Sequence, residues 1–420
     1  MKRMLLLSLL LAFSNVAYAN TLITKLTKNN QGQWRVSYNI SKPITQLVLK
    51  KTPDQSRLNR WVSLSPDIII QHLHGQDFIR HKDGKKFQQV TFDLNPTFIS
   101  LPKDYAPFSP YTDGGMLVHS RRFFACIQQC DETQNQWHMR IEAPDSDYIL
   151  VHGKVHKSQT YWIDENDGTK VYVGKQKPFN FAGLFTVIDP ALPAALKSSI
   201  ESSFPRIMSS FEQRFGPLNA PPMLLFSTSY STDGKVDRKG GVLPNQVFFH
   251  VHAPKQTKRS FDIWFTTHEI AHLFQKEGVQ TVRFSESWLH EGAAEYLTAQ
   301  WLKQASHQQL IHDKMSSARR HCFTTLKGKS LSETQRKDAR LFYTCGLLLF
   351  HKLETLLKPS GQSVSQIWKI YTQRIRQGET ANSDLMIDII KPYVKTKSKQ
   401  RWISFFRDVQ ISPQETYDRI

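Results

Sequence analysis

The feature that most constrains the fold is a change in hydrophobic periodicity near residue 180. Before it, apolar and polar residues alternate, as in residues 34–40, which is typical of half-buried β-strands. After it, segments such as 339–357 have the apolar spacing of helices. A chain of 420 residues is long enough for more than one domain. We therefore predict an α+β protein, with an antiparallel, sandwich-like β domain over residues 20–180 and a mainly helical domain over 181–420.

The start of the helical part is marked by local signals. Asp189 and Pro190 are typical of an N-cap and a first helical turn, and Gly216 is typical of a helix end. Pro205 lies between them and predicts a kink. We therefore predict a kinked helix that begins near Asp189 and ends before Gly216.

The first nineteen residues have the pattern of a cleaved signal peptide. A positively charged start precedes an apolar run over residues 5–13, and Ala17 and Ala19 place small residues where signal peptidase cleaves. The run is shorter than the roughly 20 residues that a transmembrane helix needs, and no later segment is apolar for as long. We expect residues 1–19 to be removed and the mature chain, without a transmembrane segment, to be periplasmic or secreted.

The sequence is strongly basic, with a formal charge of +19 from 55 Lys and Arg against 36 Asp and Glu. Such an excess first suggests nucleic acid, but the charge is spread along the whole chain and export would separate the protein from the genome. We therefore predict no nucleic-acid partner. In an exported protein the charge favours acidic substrates or anionic envelope polymers. The sequence does not indicate an oligomeric state.

The sequence contains four cysteines, Cys126, Cys130, Cys322 and Cys345. An even number in an exported chain permits two local disulfides, Cys126–Cys130 and Cys322–Cys345, although four buried thiols are an alternative. A zinc site at Cys126 and Cys130 is disfavoured, because no second Cys or His pair with ligand spacing lies nearby.

The motif that indicates chemistry is H-E-x-x-H, formed by His268, Glu269 and His272 in a segment of helical character. A spacing of four places both imidazoles on one helix face, where they can bind the same metal ion. Glu269 projects beside that face and can reach a water molecule without binding the metal. The alternative is a pair of histidines that are hydrogen-bonded in the core.

A catalytic zinc site needs a third protein ligand. A metzincin would have Gly and His three and six residues after His272, but Gln275 and Gly278 stand there, which excludes that class. Glu291 is the candidate that remains. It lies nineteen residues after His272, between the apolar Trp288–Leu289 and a run of small residues that would allow burial against another helix.

H-E-x-x-H followed by eighteen residues and by Glu in a Trp-Leu-x-Glu-Gly motif resembles the gluzincin metallopeptidases, in particular the aminopeptidase N-type and glycyl aminopeptidase-like families. The resemblance implies a thermolysin-like catalytic domain that hydrolyses peptide or protein substrates. It also implies one Zn²⁺ bound by His268, His272 and Glu291, with Glu269 as the general base for a zinc-activated water.

The resemblance extends to a tyrosine that stabilises the tetrahedral intermediate. Tyr343 and Gly346 match the Tyr-x-x-Gly of these families, fifty-two residues after Glu291, with Cys345 in place of the usual Lys. It implies a catalytic role for Tyr343, and a Cys322–Cys345 disulfide would then hold its helix. An ordinary helical tyrosine packed on its neighbours is the alternative.

The sequence departs from the family in the glycine-rich strand that binds the substrate backbone. Gly240-Gly241-Val242 is followed by Leu243-Pro244-Asn245, without the Glu that grips the free amino terminus in the aminopeptidase branches. Aminopeptidase and endopeptidase activity therefore both remain open. A catalytically silent binding protein of the same fold is an alternative, and so is a hydrolase of a non-peptide bond such as an amide or epoxide.

Four further residues could belong to the site. His250 and His252 would lie on one face of a strand, but surface or packing histidines are favoured because no third ligand is in view. His290 adjoins Glu291 and is therefore expected to point elsewhere. Glu295 lies one helical turn after Glu291 and is either a partner of a ligand histidine or a solvated glutamate.

Overall fold

The computed structural model describes residues 21–101, 104–131, 134–181, 183–257, 262–275 and 286–420. The predicted signal peptide, residues 1–19, lies outside the described residues. The chain forms two compact units that interleave along the sequence: residues 21–95, 122–142 and 161–165 form the first, and residues 96–121, 143–160 and 166–420 form the second. Whether residues 20–180 and 181–420 fold as separate domains stays a prediction.

The described residues form strands as follows: β1 Leu22–Lys28, β2 Trp34–Ile44, β3 Gln46–Leu49, β4 Trp61–Ser63, β5 Ile68–Leu73, β6 Gln76–His81, β7 Phe87–Leu94, β8 Phe108–Pro110, β9 Met116–His119, β10 Ala125–Ile127, β11 Gln136–Glu142, β12 Tyr148–Val151, β13 Lys154–Lys157, β14 Gln159–Glu165, β15 Lys170–Gly174, β16 Phe179–Phe181, β17 Leu184–Ile188, β18 Met223–Tyr230, β19 Asp237–Leu243 and β20 Gln246–Ala253. The helices are α1 Arg57–Arg60, α2 Ala194–Phe215, α3 Ile263–Gln275, α4 Ser287–Gln304, α5 Gln308–Leu326, α6 Leu331–Thr334, α7 Arg340–Leu357, α8 Val364–Arg376, α9 Ser383–Ile390, α10 Thr396–Arg407 and α11 Pro413–Asp418. Within the described ranges, short 3₁₀ helices also cover Ser120–Phe123 and Lys358–Ser360.

The first unit is built on a six-stranded sheet, in the order β14-β11-β1-β2-β7-β4, and a four-stranded sheet, in the order β10-β3-β6-β5. Strand β2 shows why these segments are strands: Trp34, Val36, Tyr38 and Ile40 are buried at every second position, as the alternation predicts. Strand β1 pairs parallel with β11, whereas the pairs β1–β2, β2–β7, β4–β7, β10–β3, β3–β6 and β5–β6 are antiparallel. The antiparallel-rich β region of the N-terminal part is thus confirmed.

The second unit contains two five-stranded sheets and helices α2–α11. One sheet has the order β13-β12-β15-β9-β8, and the other has the order β16-β17-β18-β20-β19. In the latter, β17, β18 and β20 run parallel, and β19 pairs antiparallel with β20 at the edge. A continuous apolar core links this sheet to the helices, which confirms the helical part that follows the β region. None of the described helices is long and apolar enough to cross a bilayer.

Helix α2 begins later than the sequence predicts. It starts at Ala194 with Pro193 as the N-cap, and the buried Asp189 carboxylate accepts the Ala191 N–H at 2.9 Å in a turn that precedes the helix. Asp189 Oδ2 accepts the backbone N–H groups of Thr112 and Thr228, at 2.9 and 3.1 Å. The helix then continues through Pro205, and Gly216 ends it with a φ of 93°.

Candidate metal centre

Helix α3 positions the two histidines of the motif. Its residues from Thr266 to Gln275 are all buried, so the imidazoles of His268 and His272 are held one turn apart within the protein. The ring centroids lie 4.6 Å apart and the rings are nearly perpendicular. Because the helix backbone is fixed by packing on both sides of the motif, the histidines have little freedom to separate.

Helix α4 brings a carboxylate to the same point. Glu291 Oε2 lies 3.1 Å from His268 Nε2 and 2.8 Å from His272 Nε2. One ligand atom from each of the three residues lies within 4.8 Å of the other two. Two imidazole nitrogens and one carboxylate oxygen that converge in this way are a donor set that catalytic zinc sites use, with one coordination position left for water or substrate.

Two further side chains orient the histidines through their other ring nitrogens. Glu295 Oε1 lies 2.9 Å from His268 Nδ1, and the Trp264 indole N–H donates to Glu295 Oε2 at 2.9 Å. Gln275 Oε1 lies 2.9 Å from His272 Nδ1. Such partners fix the tautomer and the ring orientation of a metal-binding histidine, so that Nε2 faces the metal. The position of Glu295 agrees with the partner role rather than with the solvated glutamate.

The electrostatics of the cluster favour a positive charge among the three donors. Burial acts to lower the pKa of His268, but the carboxylates of Glu291 and Glu295 outweigh it and raise the pKa to about 10. Burial acts to raise the pKa of Glu291, but the imidazoles of His272 and His268 hold it well below its ordinary value. A carboxylate kept ionised beside two imidazoles fits a divalent cation, and we conclude that the residues present suit zinc.

Glu269 and Tyr343 lie at the same centre. Glu269 is buried on α3, directly after His268. Tyr343 comes from the first turn of α7, and its ring centroid lies 5.7 Å from that of His268. Burial raises the pKa of the Tyr343 hydroxyl, and the charges of Glu291 and Glu269 raise it further, so the group stays protonated. Of the five residues that the sequence nominates, the structure thus brings the donor atoms of His268, His272 and Glu291 to one point. It places Glu269 on the same helix as the histidines and the Tyr343 ring beside His268.

The approach of α4 to α7 depends on two glycines. A Cβ atom on Gly292 would lie 2.4 Å from Gly346 Cα, and a Cβ atom on Gly346 would lie 2.6 Å from Gly292 Cα and 2.7 Å from the Trp288 carbonyl oxygen. Those neighbours are backbone atoms, which cannot rotate away. Gly292 adjoins Glu291 and Gly346 lies one turn after Tyr343, so the glycine contact brings the carboxylate and the phenol together.

We expect Gly346→Ala to lower the free energy of unfolding by about 1–3 kcal/mol, because the new methyl group forces two helix backbones apart. Helix propensity alone predicts the opposite sign, with a gain of roughly 1 kcal/mol when alanine replaces glycine. Urea unfolding monitored by circular dichroism measures the difference. His351→Ala, at an exposed position of the same helix, is the control and should stay within about 0.5 kcal/mol of wild type. A stabilised Gly346→Ala protein would contradict the close contact.

The three other histidines considered from the sequence, His250, His252 and His290, make contacts outside the metal centre. His250 lies between the hydroxyls of Ser227 and Ser229, with its Nδ1 at 2.8 Å and its Nε2 at 2.9 Å. His252 Nδ1 contacts Ser229 at 2.7 Å. His290 is buried and its ring packs at right angles against Trp368, with centroids 5.2 Å apart. These contacts agree with packing roles for the three histidines.

The four cysteines lie in the two pairs that the sequence permits. Cys126 and Cys130 lie at disulfide distance with Cα atoms 5.0 Å apart, and Cys322 and Cys345 do so with Cα atoms 5.2 Å apart. The second pair joins α5 to α7. It therefore restrains the helix that carries Tyr343, two residues before Cys345.

Sequence reasoning missed several residues around the centre. Trp264 and Gln275 support the histidine pair but lie in no motif, since a tryptophan or glutamine on a buried helix is common. Tyr105, from an irregular segment, packs against the glycine-rich strand: a Cβ atom on Gly241 would lie 2.5 Å from its hydroxyl oxygen. No periodicity or spacing relates Tyr105 to the motif on α3, so nothing in the sequence could have identified it.

No protein-family model and no curated protein matches the chain. Solved structures do. The M1 zinc metallopeptidase from Deinococcus radiodurans is similar over 93% of each chain, with 14% sequence identity and a TM-score of 0.55. A substituted two-domain M1 zinc metallopeptidase bound to L-arginine is similar over 94% of each chain, with 13% identity and a TM-score of 0.56.

Native leukotriene A4 hydrolase from Saccharomyces cerevisiae is similar as well, over 91% of this chain and 66% of the hydrolase, with 13% identity and a TM-score of 0.54. Likeness at these identities concerns the fold. The chain has the fold shared by these M1 zinc metallopeptidases and the hydrolase, which confirms the resemblance to gluzincins at that level.

Proposed function

We propose that this protein is a zinc-dependent metallopeptidase that hydrolyses peptide bonds. The observation that carries the proposal is the convergence of His268 Nε2, His272 Nε2 and Glu291 Oε2 on one point, with Glu269 and Tyr343 beside it. We extend the proposal to a thermolysin-like catalytic domain, because α3, which carries two of the three donors, packs beside the edge strand β19, and α4 packs on α3.

His268, His272 and Glu291 would hold one zinc ion. When bound, zinc supplies Lewis acidity, which lowers the pKa of water and polarises a carbonyl group. The pairs His268–Glu295 and His272–Gln275 keep Nε2 of each ring directed at the ion. Each histidine thus binds with a defined tautomer rather than with a rotating ring.

Glu269 is the general base of the proposed reaction. It lies next to His268 on α3 and is not among the three residues whose donor atoms converge, which leaves its carboxylate for proton transfer. It accepts a proton from the attacking water and later donates that proton to the nitrogen of the leaving amine. Its burial removes competing solvent from the path of the proton.

Tyr343 donates a hydrogen bond to the oxygen that becomes negative in the transition state. Partial burial and the neighbouring carboxylates raise the pKa of the phenol above its ordinary value, so Tyr343 keeps its proton at neutral pH although its side chain is partly exposed. A protonated donor that is already in place stabilises developing charge without reorganisation.

We expect Tyr343→Phe to reduce kcat by about 10²–10³-fold, which is the loss typical of removing one such donor. Zinc content should not change, because the tyrosine is not among the three donors. Steady-state kinetics on a peptide substrate and metal analysis of the same sample measure both quantities. Tyr161→Phe, at an exposed tyrosine of the other compact unit, is the control and should keep full activity. If kcat of Tyr343→Phe equals that of wild type, Tyr343 does not stabilise the transition state and has only a packing role.

One series of measurements on the purified full-length protein distinguishes a peptidase, a non-peptide hydrolase and a catalytically silent binding protein. The metal content is measured first. The products formed from a peptide mixture are then mapped by mass spectrometry, with and without chelator. Zinc with chelator-sensitive peptide cleavage supports the proposal. Zinc with no peptide cleavage, but turnover of amide or epoxide substrates, would support the non-peptide hydrolase that the similarity to leukotriene A4 hydrolase suggests. Absence of zinc would support a catalytically silent binding protein.

We also propose that the protein is exported. The pattern of residues 1–19 and the two cysteine pairs at disulfide distance support an oxidising compartment. Cell fractionation, with the mass of the mature chain, tests this: a protein recovered uncut from the cytoplasm would contradict it.

A further inference from the structure

Strand β19 offers a free edge beside the metal centre. It ends the sheet order β16-β17-β18-β20-β19, and no other described strand pairs with its outer side. Gly240 of β19 packs directly on helix α3, where a Cβ atom would lie 2.4 Å from the ring of Phe265. Phe265 lies one turn before His268. A free edge can bind an extended peptide through its backbone, so a peptide on β19 would run alongside the helix that carries the histidines.

Tyr105 packs on β19 at Gly241, on the face opposite to Phe265, because successive residues of a strand point to opposite faces. A Cβ atom on Gly241 would lie 2.5 Å from the Tyr105 hydroxyl oxygen and 2.6 Å from its Cε1 atom. The Val242 backbone lies close enough to the Tyr105 hydroxyl to lower its pKa slightly, so the hydroxyl reaches the backbone of the edge strand. A peptide that pairs with β19 can therefore not continue past Gly241 and Val242 while Tyr105 keeps this position.

The Tyr105 ring is held by its neighbours. It packs edge-to-face on Phe248, with ring centroids 4.8 Å apart, and on His119, at 5.4 Å. The ammonium of the buried Lys170 lies 5.9 Å from the ring centroid and donates a hydrogen bond to the Ala106 carbonyl oxygen at 3.0 Å. Moving Tyr105 away from β19 would break contacts on several sides, so the ring is held in one position.

Tyr105 lies near the residues proposed to take part in the reaction. Burial raises the pKa of Tyr105, and the charges of Glu269 and Glu291 raise it further. Tyr105 in turn contributes to the raised pKa of Tyr343. Its hydroxyl therefore lies within electrostatic reach of the base, of one metal donor and of the oxyanion donor.

We propose that Tyr105 is a specificity-determining residue, which closes one end of the free edge of β19 and limits how many substrate residues fit on one side of the scissile bond. This inference rests on the proposed peptidase function. The residue that limits the substrate is then a tyrosine from the segment before β8. It acts at a strand whose sequence lacks the Glu that grips the amino terminus in the aminopeptidase branches.

The test uses zinc-loaded full-length protein and unlabelled peptides of one repeating composition but increasing length, with products mapped by mass spectrometry. For wild type we expect the cleaved bond to stay at the same distance from one terminus at every length. For Tyr105→Ala we expect additional cleavage farther from that terminus. The kcat/KM for those bonds should rise by about 10–200-fold, the scale on which pocket contacts discriminate, mainly through a lower KM.

Tyr105→Phe keeps the ring and removes the hydroxyl that touches Gly241, so it should shift the products in the same direction by a smaller factor. Zinc content and the thermal unfolding midpoint show whether each variant is folded. If Tyr105→Ala does not fold, the products of Tyr105→Phe and of wild type test the inference instead. Wild-type cleavage at many distances from both ends would overturn the inference, and so would unchanged products in the folded variants. Absence of any cleavage by the zinc-loaded wild type would overturn the proposed function and this inference with it.

Discussion

Glu269→Gln is expected to reduce kcat by about 10²–10⁴-fold while zinc stays bound. The amide has nearly the shape of the carboxylate, so α3 and its histidines should keep their positions. It cannot accept a proton from water, however, and the attack on the carbonyl group loses its base. Steady-state kinetics with a peptide substrate and metal analysis of the same preparation give the two quantities.

The comparison that isolates proton transfer is Glu295→Gln. Glu295 is also a partly buried carboxylate at the centre, but it contacts His268 Nδ1 and the Trp264 indole rather than the reacting atoms. It should therefore affect metal affinity more than kcat of the zinc-saturated protein. If Glu269→Gln kept full activity with zinc bound, the assignment of the base would be wrong.

Glu291→Ala is expected to abolish stable zinc binding and, with it, all activity. Glu291 Oε2 is the acceptor that both imidazoles share, so its loss removes one of three donors and leaves two histidines that cannot hold the ion alone. Competition with a chromophoric chelator measures the dissociation constant directly, without relying on turnover.

A comparison of zinc affinities between Glu291→Ala and Glu295→Gln tests the assignment of Glu291 further. Glu295→Gln should weaken zinc binding by about 10–100-fold, which is the usual loss when a partner of a metal-binding histidine is changed. Glu291→Ala should weaken it by more than Glu295→Gln does. Equal affinities in the two variants, or zinc retained at wild-type affinity in Glu291→Ala, would exclude Glu291 as a donor.

The site shows what different kinds of sequence information can predict. The pairing of His268 with His272 follows from helix geometry, since residues four apart in one helix share a face. Glu291 is indicated by its small and apolar neighbours together with the family resemblance, because nineteen residues of chain separate it from His272 and no periodicity spans them. Tyr343 is indicated by the resemblance alone.

The start of helix α2 shows why local signals can fail. Asp189 and Pro190 have the residue types of a helix start, yet α2 begins at Ala194. The Asp189 carboxylate instead accepts the N–H groups of Thr112 and Thr228, which belong to distant parts of the chain. A capping propensity of about 1 kcal/mol is readily outweighed when such partners bury the same side chain.

Features that depend on a single element follow from the order of the amino acids: the change from strand to helix periodicity near residue 180, and two histidines one turn apart with Glu269 beside them. Three other features are decided only in the folded chain, namely that Glu295 supports His268, that Gly292 meets Gly346, and that Tyr105 packs on β19. These contacts join separate segments through packing. The pattern within a segment records which face is buried, but not which residue of another segment it meets.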